Sequence, residues 1–89
     1  MMTFIGGFND ARRNVKDIAA YVKSLTDELK RQNANSPGGI PGVEDPGESI
    51  ANLMLAYRHL EDASMRLGKA IQAADGGVSV YDKATTVGA

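Results

Sequence analysis

AYRHLEDASMRLGKAIQ, residues 56–72, is the stretch on which the fold turns. Tyr57, Leu60, Leu67 and Ile71 extend a stripe begun by Ile50 and Leu53, at the steps of three and four that mark one face of a helix, with Ser64 interrupting it. Ala56, Ala63 and Ala70 interleave with Leu53, Leu60 and Leu67, so small residues line one flank and admit another helix at close range. Met54, Leu55 and Met65 lie outside both stripes. Upstream, Asp45-Pro46-Gly47-Glu48 reads as a helix start, with Asp45 as cap, Pro46 in the first position and Glu48 placed for a capping box. Downstream, Asp75-Gly76-Gly77 reads as a stop. The pattern predicts a helix over residues 46–74.

Working outward, residues 9–32 carry Ala11, Val15, Ile18, Val22, Leu25 and Leu29 at alternating steps of four and three. That predicts a first helix, capped by Asn9 or Asp10, with Lys30 and Arg31 in the last turn where the dipole favours cations. Residues 33–45 form a Pro/Gly linker through which neither helix nor strand propagates. Residues 1–7 read as a short apolar N-terminal segment whose Phe4 and Ile5, with Phe8, staple onto a helix or a neighbouring subunit. After the hairpin domain, residues 1–77, the small-residue tail 78–89 is expected to be mobile.

The totals sharpen this. Eighty-nine residues allow one small domain that buries proportionally little surface. The chain has no cysteine and a single histidine, which leaves neither disulfides nor an ordinary structural zinc site to compensate. Oligomerisation is the remaining staple. No apolar run approaches a membrane span and no charged-then-apolar leader is evident, so the expectation is a soluble, cytoplasmic protein. Ten basic and eleven acidic side chains, well mixed, provide no field for a long nucleic acid or an anionic membrane. The fold class expected is all-α: two long helices in an antiparallel hairpin with a short N-terminal segment. Because such a hairpin buries one face of each helix and leaves its flanks wet, a homo-oligomer built through the second helix is expected.

Two clusters could carry chemistry. Arg12, Arg13 and Lys16 fall in the first turns of the expected helix, where basic charge and free amides together suit a phosphate. The alternative is a solvated face on which Asp10 and Asp17 pair with them. Arg58 and His59 stand beside Tyr57, with Asp62 spaced to pair with Arg58, and His59 suits either a subunit seam or a ligand. No nucleophile–base pair, catalytic carboxylate pair or metal-ligand set is present, which argues against an enzyme, a metal or a cofactor. The glycine pairs lack the surroundings of a phosphate-binding loop, and the linker is too long for a helix-turn-helix.

The run HLEDASMRLGKAI, His59 to Ile71, resembles the C-terminal helix of small phage proteins that sequester cyclic nucleotides, the Acb and Tad sponges of the anti-CBASS and anti-Thoeris group. His59, Leu60, Ala63, Met65, Leu67, Lys69, Ala70 and Ile71 stand in matching order, and Asn14-Val15-Lys16 resembles an early Val-Lys step of the family's long helix. The chain departs in placing Tyr57 where the family has its arginine, and Arg58 one position later, about 100° round a helix. The resemblance implies an all-helical protomer, a hexamer, and pockets between subunits that hold cyclic di- or trinucleotides or cyclic ADP-ribose-type signals without cleaving them. Arg12, Arg13, Lys16, Arg58 and His59 would meet the phosphates, and Phe8, Tyr21 or Tyr57 a base. Two other classes fit the same stripes: a structural or scaffolding module, and an inhibitor that binds a protein through Met54, Leu55 and Met65.

Overall fold

The computed structural model describes residues 3–74; the tail 78–89 and the stop at residues 75–77 lie outside the described residues. Two helices form an antiparallel hairpin: α1, Phe4–Asn35, and α2, Pro46–Ala74. Arg12 lies against Gly68, and Lys23 lies near Tyr57, which sets the two helices level by level in opposite directions. With overall dimensions of 58 × 31 × 17 Å and a radius of gyration of 18.1 Å, against the roughly 12 Å of a compact chain this long, the hairpin is a thin rod.

The helix α1 begins five residues earlier than its apolar spacing indicates. Thr3 is the cap instead of Asn9 or Asp10. Its backbone is extended, its Oγ1 accepts the Gly6 N–H at 2.9 Å, and its carbonyl accepts the Gly7 N–H at 2.9 Å. A Cβ on Gly6 would stand 3.0 Å from that hydroxyl, so the glycine makes room for the cap. Phe4 and Phe8, one turn apart, bring their ring centroids to 6.3 Å. Cap and ring contact together offset the helix penalty of two glycines, about 1 kcal/mol each. Asn9 is an interior residue whose Nδ2 donates to the Ile5 carbonyl at 3.0 Å. At the other end α1 runs on to Asn35, so Lys30 and Arg31 sit above the last turn. Arg31 there donates to both carboxylate oxygens of Glu28, and Gln32 Nε2 donates to the same carboxylate at 3.0 Å.

The linker, which starts at Ser36, is built rather than formless. Ser36-Pro37-Gly38-Gly39 and Ile40-Pro41-Gly42-Val43 are successive turns, each closed by an N–H to carbonyl bond of 3.0 Å. In the second, proline in the first central position and Gly42 at φ +83° give the type II pattern. Asp45 then caps α2: its Oδ1 accepts the Glu48 N–H at 3.0 Å. Glu48 Oε1 turns away from the capping box to accept from Asn52 Nδ2 at 3.0 Å.

On α2 the buried face is the stripe read from the sequence, with Ile71 the most enclosed at 4% exposure. On α1 the seam is rotated. Phe8, Arg12, Val15, Ala19, Val22, Thr26 and Leu29 face α2, and Ala19 and Thr26 are buried. Ile18 and Leu25, expected inside, are 52% and 43% exposed on the outer flank. Small Ala19 and Thr26 let the two backbones approach, and the Thr26 hydroxyl is satisfied by donating to the Val22 carbonyl at 2.7 Å. Among the described residues no large side chain is fully buried.

Two measurements check these local arguments. Gly42→Ala should cost roughly 1 kcal/mol in urea unfolding through left-handed backbone strain alone, because a Cβ there meets nothing within 4 Å. The Glu28 carboxyl is held down, to about 2 from 4.5, chiefly by the hydrogen bond from Arg31 and then by that from Gln32. A lowered carboxyl pKa stabilises the fold above the unfolded value, and that stability is lost as pH falls through the folded one; with the carboxylate half exposed, solvent screening keeps the contribution modest. Carbon-detected NMR should place the Glu28 midpoint near 2, and a midpoint near 4.5 would show that the contact does not persist in solution.

Candidate functional site

Along one edge of the hairpin the two helices frame a groove of about 620 Å3, within the size range of small-molecule sites. Helix α1 supplies Arg12, Lys16, Ala19 and Lys23; α2 supplies Tyr57, Glu61, Ser64, Met65, Gly68 and Lys69. These form rows because residues three, four and seven apart share a helix flank. Arg12 enters from the seam, and its guanidinium lies over Gly68, where a Cβ would be 3.6 Å from Cζ, Nε and NH2. Its Nε is shielded from water. The arginine thus lies flat against α2 at a point where a methyl group would still sit at ordinary van der Waals distance.

A smaller compartment of about 290 Å3 continues the groove past Tyr57 and Glu61, toward Lys30, Met54 and Arg58. Lys23 belongs to both compartments and donates to Asp27 Oδ2 at 3.0 Å. That hydrogen bond, then the Asp27 charge, raises the Lys23 pKa above its ordinary value, and Tyr57 adds a smaller push the same way. Lys23 therefore stays cationic throughout the neutral range. The larger compartment sets four cations, Arg12, Lys16, Lys23 and Lys69, against one carboxylate, Glu61. Tyr57 offers a half-buried flat ring beside them. Such a groove can hold a small multiply charged anion with an aromatic portion.

The residues singled out in the sequence are divided among several places. Arg12, Lys16 and Tyr57 meet in the main groove, and Arg58 lines the smaller compartment. Arg13 points outward and pairs with Asp10 at 3.6 Å. His59 is exposed, about 100° round α2 from Arg58 and toward the opposite edge. Phe8 lies in the seam against Phe4, and Tyr21 is exposed on the outer flank of α1. Since α1 starts at Phe4, the amides near Arg12, Arg13 and Lys16 belong to the helix interior, and side chains alone supply the positive field. Lys23, Glu61, Gly68 and Lys69 were not singled out from sequence; the signal for them is the row Arg12, Lys16, Lys23, Lys30 on one α1 flank opposite Glu61, Met65 and Lys69 on α2.

Among the described residues no group of three or more His, Asp or Glu side chains is placed to hold a metal ion, and no helix is long and apolar enough to cross a membrane. Gly68→Ala tests the Arg12 contact: 3.6 Å is ordinary van der Waals distance, so alanine should fit and stabilise α2 by about 0.5 to 1 kcal/mol through helix propensity. A fall in melting temperature would mean that Arg12 sits closer to α2 than this.

No protein-family model matches the chain, and no curated protein or solved structure matches it, which leaves function to be argued from the groove itself.

Proposed function

We propose that the chain sequesters a cyclic di- or trinucleotide, or a cyclic ADP-ribose-type signal, without cleaving it, as a phage protein that starves a CBASS-type or Thoeris-type defence of its messenger in the host cytoplasm. The observation that carries this reading is the groove: four cations and a flat tyrosine around a space of about 620 Å3. Two or three phosphates need only a few cations at close range, so a net charge of −1 on the whole chain is no obstacle. The likeness of His59 to Ile71 to the sponge family adds independent support, since Met65 and Lys69 within that run line the groove. The family likeness also brings a homo-oligomer, a hexamer in its implied form, in which a neighbouring subunit would close the open side of the groove and exclude water. Arg12, Lys16, Lys23 and Lys69 hold phosphates in this reading, and Tyr57 stacks on a base.

Calorimetric titration with a panel of cyclic oligonucleotides and cyclic ADP-ribose isomers tests it. At least one should bind with micromolar affinity or better, and Arg12→Ala/Lys16→Ala should weaken that binding at least tenfold with helicity and assembly mass unchanged. No binding to any member at tens of micromolar would sink the reading. A scaffolding or inhibitor module is the second reading, favoured by the 63% exposure of Met65, a flexible side chain suited to adaptable protein contacts. Loss of assembly in the double variant would favour it.

A further inference from the structure

The edge opposite the groove has the reverse character, and from it we infer a two-fold pair of hairpins in which α1 of each copy lies on α2 of the other. On this edge α1 presents Ala11, Ile18 and Leu25, and α2 presents Ala56, Ala63 and Ala70, each set spaced by seven. Ile18 and Leu25 are 52% and 43% exposed, and the three α2 alanines are half-buried. A seven-residue repeat keeps a seam straight between helices crossing at about 20°, the geometry of four-helix bundles.

Volume selects the occupant and its direction. Arg12 is level with Gly68 and Lys23 with Tyr57, so Ile18 shares a level with Ala63, Leu25 with Ala56, and Ala11 with Ala70. With the two-fold axis along the hairpin, levels are preserved and α1 covers the partner's α2 in antiparallel fashion. Each large side chain then meets an alanine on the other copy. Turning the axis across the hairpin would stack α1 on α1 and alanine on alanine, leaving voids on one side and crowding on the other.

Charge is mixed along the rims. The outer rim on the α1 side carries Asp10 and Asp17, and the outer rim on the α2 side carries His59, Asp62 and Arg66, all exposed. Asp10 already pairs with Arg13 of its own helix. In the pair described, the α1 rim of one copy runs along the α2 rim of the other, which puts Arg66 level with the second copy's Asn14 and roughly 5 Å along the axis from its Asp17, within reach of the long arginine side chain. These rim contacts fix register more than strength. Roughly 40 Å of helix by ~20 Å of hairpin width gives about 800 Å2 covered per copy, the size of a standard stable interface. The pairing does not rest on the nucleotide reading, because the groove lies on the far edge of each copy.

Because the chain has no cysteine, a cross-link reads the arrangement directly. Asn14 and Arg66 share a level, so in the full chain Asn14→Cys/Arg66→Cys should form a disulfide-linked dimer on mild oxidation, whereas Asn14→Cys alone should not link to itself. Sedimentation of the unaltered protein at micromolar concentration should give an even number of subunits, and Ile18→Glu should shift it toward monomer. Arg12→Ala should leave the pair intact. A folded monomer, an odd-numbered assembly, or a dimer in which the cysteine pair fails to link would overturn the proposal. Should Ile18→Glu prevent folding, the cross-link and the mass of the unaltered protein still decide.

Discussion

Two helices have only one seam between them, and that geometric fact governs the rest of the molecule. A helix in a larger bundle has neighbours on two sides and buries a stripe broad enough to take leucines in every turn. In this hairpin each helix has one neighbour, and among the described residues only Ala19, Thr26 and Ile71 are buried. Close approach of the backbones at Ala19 and Thr26 is what brings α1 and α2 together, and the same closeness pushes the larger side chains of α1 out to the edges. Those edges then take on opposite characters. One collects Arg12, Lys16, Lys23 and Lys69; the other collects Ile18, Leu25 and the alanine row.

This division explains what could be read from the chain before its structure was known. The buried stripe of α2 is legible because its apolar residues are large, evenly phased and preceded by Asp45-Pro46, a start signal with an identifiable hydrogen bond at 3.0 Å. For α1 the period is right and the phase is shifted: Val15, Val22 and Leu29 face α2 as expected, while Ile18 and Leu25 give way to Ala19 and Thr26. Hydrophobicity weights Ile18 and Leu25 over Ala19 and Thr26, yet in a single-seam hairpin small residues win the interior because they shorten the distance between axes. The start of α1 was hidden by Gly6 and Gly7, which read as breakers until the Thr3 hydroxyl is seen in the space that a Cβ on Gly6 would crowd.

The groove was legible only in part for a related reason. Arg12 and Lys16 stand out as a local cluster, but Lys23 lies two turns on and Lys69 on the other helix, and only the level-by-level pairing brings them to one place. Conversely Arg13 and His59, adjacent in sequence to groove residues, are carried about 100° away by one step along a helix. Adjacency in sequence is thus a poor guide to adjacency on a helical surface, and the seven-residue row is a better one. Gly68 is the least expected member, since it enters only as the stretch of α2 over which the Arg12 guanidinium lies.

The charge of each edge also limits what can cover it. Closing two copies groove to groove would bring eight cations into one low-dielectric space with two Glu61 carboxylates, a cost that only a bound anion could offset. The opposite edge carries no such penalty, since covering it removes isoleucine, leucine and alanine from water. A second copy therefore belongs on the apolar edge when no ligand is present, and both grooves of the pair then face outward. An anion would be met by a groove already assembled and still open, and its negative charge is the one ingredient that would let a further subunit approach that side.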